Sequence, residues 1–168
     1  MIVTAALLTA GIDPAAAAPP APQRLASTIT QVAQPPAPSV VVAPRAAGAS
    51  VVERFAAPRN GVLPAGQPLV AILRAGAVDL GDTVNVVRAE RVGATIYVEV
   101  EERICLCGRT ITNPTVPYVE VALGALPAGS YTLALRETQL TFSEEQHPET
   151  ASHPRRVLEL QGMPLTVR

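Results

Sequence analysis

The chain has no tryptophan, no lysine, two cysteines and only five aromatic side chains (Phe55, Tyr97, Tyr118, Tyr131 and Phe142) among 168 residues. Each shortage excludes something. Without lysine, all thirteen cationic side chains are arginines, set against fourteen carboxylates for a net charge of −1. A nucleic-acid surface needs clustered positive charge interleaved with stacking aromatics. From residue 51 onward eleven arginines and thirteen acids are interspersed instead, so no nucleic-acid partner is expected. The scarcity of aromatics means that any core must be aliphatic. The apolar run at 1–12 is too short to span a bilayer, and no later stretch is long enough, so no transmembrane span is expected. Also missing are a Gly-x-Ser-x-Gly elbow, a phosphate loop, a dinucleotide fingerprint and a His-Glu-x-x-His pair. Without them we expect no catalysis and no cofactor.

What is present falls into three parts. Residues 1–18 combine an apolar run with the small residues Ala15 to Ala18, the second and third features of a secretory signal but without a basic start. They are read as a truncated signal peptide. Residues 19–50 hold Pro19-Pro20-Ala21-Pro22 and Pro35-Pro36-Ala37-Pro38. Such runs favour extended polyproline conformations and cannot join a sheet interior, so this stretch is expected as a disordered Pro/Ala-rich linker, with Val40 to Val42 as a stray edge strand. Residues 51–168 are expected to fold.

In that last part hydrophobicity alternates with a period of two, the signature of half-buried strands. Ile96, Val98 and Val100 alternate with Tyr97, Glu99 and Glu101. Val119, Val121 and Leu123 alternate with Tyr118, Glu120 and Ala122, and Leu133 and Leu135 continue from Tyr131. Val51 to Phe55, Leu69 to Leu73, Val84 to Val86, Leu140 to Phe142 and Leu165 to Val167 add further candidates. About seven short strands with Gly/Pro corners and no helical period predict an all-β antiparallel sandwich. Glu99, Glu101 and Glu102 are expected on its exposed face beside Arg103.

Two corners repeat. Leu63-Pro64-Ala65-Gly66 and Leu126-Pro127-Ala128-Gly129 each lead into an apolar strand, and Pro followed by Gly is turn chemistry. The second copy, Val121 to Leu133 with Tyr131 after the glycine, resembles the Leu-Pro-Ala-Gly-x-Tyr strand lead-in of bacterial secreted immunoglobulin-like and transthyretin-like domains, including carboxypeptidase-regulatory-like modules. The resemblance implies an immunoglobulin-like sandwich serving as a secreted binding, spacer or stabilising module, usually without catalysis.

Three sets of residues could carry chemistry. Cys105 and Cys107 would share one face of an extended strand with Cα atoms about 6.6 Å apart, at the upper end of the range for a disulfide. A strained local bridge, free or intermolecular thiols, and a metal site are the alternatives. A metal would need His147 and His153 as further ligands, at a spacing that fits no common motif. Asn113, Pro114, Thr115 and Tyr118, in Asn-Pro-Thr-Val-Pro-Tyr, are similar to the Asn-Pro-Thr-Thr-Gly-Tyr loop of chagasin-like cysteine-protease inhibitors. There the loop enters the protease cleft, and a proline-containing interstrand turn is the competing reading. The expectation as a whole is an exported, extracytoplasmic β-sandwich with a binding or structural role toward an unknown protein or envelope component. A protease inhibitor and a redox or metal-binding protein are the alternatives.

Overall fold

A computed structural model describes residues 20–33, 40–45, 47–51, 53, 62–76, 82–106, 115–143 and 153–168. The expected signal segment 1–18 lies outside them. Ten strands are described: β1 (Gln23–Arg24), β2 (Ser27–Ala33), β3 (Val40–Pro44), β4 (Val62–Leu63), β5 (Pro68–Arg74), β6 (Thr83–Val92), β7 (Thr95–Cys105), β8 (Thr115–Ala125), β9 (Gly129–Phe142) and β10 (His153–Val167). They form a six-stranded sheet ordered β1-β6-β7-β9-β10-β4 and a four-stranded sheet ordered β2-β8-β5-β3. Among the described residues no helix is long and apolar enough to cross a membrane.

The two-residue period of the sequence builds the core. Ile96, Val98 and Val100 of β7, Leu133 and Leu135 of β9, and Leu165 and Val167 of β10 face Leu69, Ala71, Leu73, Val119, Val121 and Leu123 of the smaller sheet, all buried. The smaller sheet is also covered on its other face, where Val41, Ala43, Val70, Ile72, Val116 and Tyr118 are buried together with Val51. A sheet buried on both sides reads as continuous apolar sequence. That is why β5 runs Leu-Val-Ala-Ile-Leu without alternation.

Three expectations need correction. The segment 19–50, read as a disordered linker, supplies β1 and β2 in addition to β3, the edge strand expected at Val40 to Val42. Its composition still shows in where they lie: β2 and β3 are the two edges of the smaller sheet, the positions where proline-flanked strands are tolerated. Val51 and Glu53 are helical rather than extended. The cause is a capping box, in which Ser50 Oγ accepts from the Glu53 N–H at 3.2 Å and Glu53 Oε2 accepts from the Ser50 N–H at 2.7 Å. Finally, the sandwich is only mostly antiparallel. β7 pairs with β9 in parallel, and so does β4 with β10. The chain between β7 and β9 crosses to the other sheet as β8 and returns, and this supplies the long connection a parallel pair requires.

The capping box has a measurable pH signature. The bond from the Ser50 backbone N–H, and secondarily the one from its hydroxyl, hold the exposed Glu53 carboxyl below its ordinary 4.5. A depressed acid stabilises the turn above the unfolded value of 4.5, and this contribution is lost as pH falls through the folded value. We expect a carboxyl NMR titration to place the Glu53 midpoint below 4.5. Ser50→Ala, which keeps the backbone donor, should move it only partway back. A wild-type midpoint at or above 4.5 would refute the capping box.

Both Leu-Pro-Ala-Gly corners cross between sheets, and they do so side by side. The first carries the chain from β4 in the large sheet to β5 in the small one, and the second carries it from β8 in the small sheet to β9 in the large one. The Gly66 N–H donates to the Leu126 carbonyl at 3.0 Å, joining the two copies directly. Gly66 has φ 71°, where a side chain would be strained, whereas Gly129 lies within β9. Leu126 is fully buried and closes this end of the core, and Leu63 packs against the same cluster. Tyr131 donates its hydroxyl to the Pro127 carbonyl at 3.1 Å. That is a physical role for the tyrosine at the end of the motif.

Candidate functional site

With both corners at one end, the strands place the chemistry-bearing connections at the other. β5, β7 and β9 all run away from the corner end, as their registers with β8 and with one another show. The connections 75–82, 106–114 and 143–152 therefore leave from a single rim. Two of these are the stretches that carry the sequence candidates.

The best-defined polar group at this rim is Glu102, which is 3% exposed. Period two puts it in phase with Ile96, Val98 and Val100, so its side chain enters the interior instead of joining Glu99 and Glu101 on the outer face. This corrects the expectation that all three line one exposed face. Glu102 Oε1 accepts from the Gly76 N–H at 2.5 Å, and its Oε2 accepts from Gln139 Nε2 at 2.7 Å. Gly76 lies two residues past the end of β5 of the small sheet, whereas Gln139 lies on β9 of the large one. One buried carboxylate thus ties the two sheets together, and the hydrogen bonds offset the cost of burying it. A Cβ on Gly76 would approach Glu102 Oε2 to 2.9 Å, so any side chain there would have to displace the carboxylate.

Beside this clasp, the Cys105 N–H donates to Asp82 Oδ1 at 2.6 Å, and the Leu106 N–H donates to the Phe142 carbonyl at 2.8 Å. These bonds hold the end of β7 against both of its neighbours. Cys105 is half-buried, and Cys107 lies outside the described residues. Of the two histidines, His147 lies outside them too. His153 is the first residue of β10, in register with Thr141. Strand β9 separates its backbone from that of Cys105, a distance of two strand spacings or about 10 Å. Among the described residues no group of three or more His, Cys, Asp or Glu side chains is placed to hold a metal ion.

The inhibitor-like segment divides. Asn113 and Pro114 lie outside the described residues, whereas Thr115 and Tyr118 belong to β8. Thr115 Oγ1 bonds to Gln31 Oε1 at 3.0 Å across to β2. Tyr118 is 0% exposed in the second core cluster. Burial pushes its phenol above the ordinary value, with Arg74 pulling the other way. A side chain held there cannot enter a protease cleft, and this removes Tyr118 from the inhibitory reading. From Thr115 onward the motif is an apolar strand start, which an Asn-Pro-Thr match does not distinguish from a loop.

The outer face of the large sheet is a lattice of paired charges. Arg88 contacts Glu90 and bonds to Glu99 at 3.2 Å, and its guanidinium sits 4.4 Å from the centre of the Tyr97 ring. Arg103 bonds to Glu101 at 2.7 Å. Register continues the row from Arg88 through Glu99 to Arg136 across three strands. Alternating signs in one row is the arrangement cross-strand pairing favours.

Compared with family models, with curated proteins and with solved structures, the chain matches none.

Proposed function

We propose that the chain is an exported, non-catalytic sandwich module of the cell envelope, acting in binding or as a structural part. The observation that carries this reading is the division of the molecule. One end is closed by two interlocked corners, and the segments richest in reactive and turn-forming residues, 106–114 and 143–152, leave together from the other. The Leu-Pro-Ala-Gly-x-Tyr resemblance supports an immunoglobulin-like or transthyretin-like variety of sandwich, with the Tyr131 to Pro127 bond giving the motif a physical basis. Fractionation of cells producing the full chain tests the reading. We expect it outside the cytoplasm, with a mature N-terminus cut within 1–18. Uncut protein confined to the cytosol would overturn it.

Export also bears on the cysteines. In an oxidising compartment two thiols one residue apart have each other as the only partner within the chain. Cys105 is the anchored member of the pair, fixed through its backbone by Asp82. A Cys105–Cys107 disulfide belongs to this reading. Thiol titration of the native, denatured protein should find no reactive thiols before reduction and both cysteines afterwards. Two thiols without reductant would remove the bridge while leaving the sandwich module intact.

A further inference from the structure

Sheet edges are where a β-protein must prevent unwanted pairing, through short or charged edge strands, proline or bulges. Among the described residues, three of the four sheet edges carry such a device. The large sheet ends in β1 and β4, each of two residues. β3 is protected by Pro44. The Arg45 N–H bonds to the Pro68 carbonyl, and alternation along the β3–β5 register then turns the backbone of Val40, Val42 and Pro44 outward. Pro44 has no N–H to offer there.

β2 has none of these devices. It is seven residues long, and it lies within a stretch from Leu25 to Pro44 that contains no charged residue. Among the described residues no strand pairs with its second side, and Ser27 to Gln31 are exposed. The Ala122 N–H donates to the Ala26 carbonyl. Alternation along the β2–β8 register therefore commits Thr28 and Thr30 to β8 and turns the N–H and C=O of Ser27, Ile29 and Gln31 outward.

The geometry points to a second copy of this chain as the occupant of that edge, with β2 paired antiparallel to β2 across a two-fold axis centred on Ile29. The sequence suits self-pairing. In this register Ile29 faces its own copy and exchanges both backbone bonds with it. Thr28 stands opposite Thr30, and Ser27 opposite Gln31. A two-fold axis sets a residue against itself, so any charge near its centre would meet an equal charge and repel it. The uncharged stretch satisfies this condition. Ile29, 40% exposed, gains an aliphatic neighbour on the same face. The product is one continuous sheet of two small sheets joined edge to edge. A contact of one strand pair is small, so the dimer is weak and forms with rising concentration.

Sedimentation of the full chain should show the average mass rising from one chain toward two between about 10 µM and about 1 mM. Ile29→Lys should weaken the association about tenfold or more. Ile29→Pro should abolish it while leaving the fold intact, because the N–H it removes points away from β8. Hydrogen exchange locates the contact. The amides of Ser27, Ile29 and Gln31 should gain protection with concentration, while Thr28 and Thr30 are protected throughout. A wild-type chain that stays monomeric at about 1 mM would overturn the proposal. So would a dimer indifferent to Ile29→Lys, or outward amides protected equally at all concentrations, which would mean that another part of the same chain covers the edge.

Discussion

Leu126→Ala is expected to destabilise the fold by about 2–5 kcal/mol, a large share of the total stability of an ordinary domain. The side chain is completely buried where the chain passes from the small sheet to the large one. It belongs to a core cluster whose members are held in the ladders of the two sheets, Leu165 and Val167 among them, so the cluster is poorly placed to collapse into the space left behind. Leu63→Ala, at the equivalent place in the first corner, should cost less because Leu63 is only partly buried. Denaturant unfolding is the measurement. The midpoint should fall with the slope unchanged, which marks a loss of stability without a change in surface exposed. Equal costs for the two leucines would contradict the asymmetry between the corners.

Glu102→Ala should be the costliest polar substitution, by about 1–3 kcal/mol, since it removes the acceptor of the part-buried Gly76 N–H and leaves the Gln139 amide only its longer bond to Glu137 at 3.4 Å. Glu102→Gln keeps a carbonyl oxygen for Gly76 and should cost less. Gly76→Ala should also destabilise, through the contact at 2.9 Å between its new Cβ and Glu102 Oε2. The two positions then form a double-mutant cycle. In the Glu102→Ala background the added methyl no longer meets a carboxylate, so the second substitution should cost less than it does alone. Additive costs would show that the Gly76 position is not coupled to the Glu102 carboxylate.

The parts of the fold that were legible in the sequence obey one rule without interruption. Ile96 to Val100, Val119 to Leu123 and Leu133 to Leu135 alternate cleanly, and each apolar member is buried. Elsewhere the rule is broken by single residues. Val87 is an extra residue in a bulge between Val86 and Arg88, which shifts the inward set from Val84 and Val86 to Ala89. β10 contains Pro154, Gly162 and Pro164 and reads as loop for much of its length. Its register shifts between Pro154 and Arg156 and between Leu160 and Met163 absorb the irregularity. β1 and β2 were hidden by the prolines around them, whereas β3 is the edge strand that the valine run at 40–42 indicates. Two signals were present but unused: the Ser-x-x-Glu of Ser50 and Glu53, and the phase of Glu102, which two-residue counting places with the valines. The candidate site was less legible because a rim is made by topology. Nothing local to Cys105 or Gly76 indicates that β5 and β7 end side by side.

The first corner is completed by residues about a hundred positions later in the chain. Thr166 and Val167 pair with Val62 and Leu63, the Arg168 N–H donates to the Leu63 carbonyl, and the Ala65 N–H donates to the carbonyl of Arg168. A ribosome delivers residues 62–66 roughly a hundred positions before it delivers these partners. During synthesis the corner can form its turn but cannot acquire its lattice, and the edge of β4 stays open until residue 168 has emerged. The corner is therefore closed only by partners made about a hundred residues later, through one of the most distant pairings in the chain.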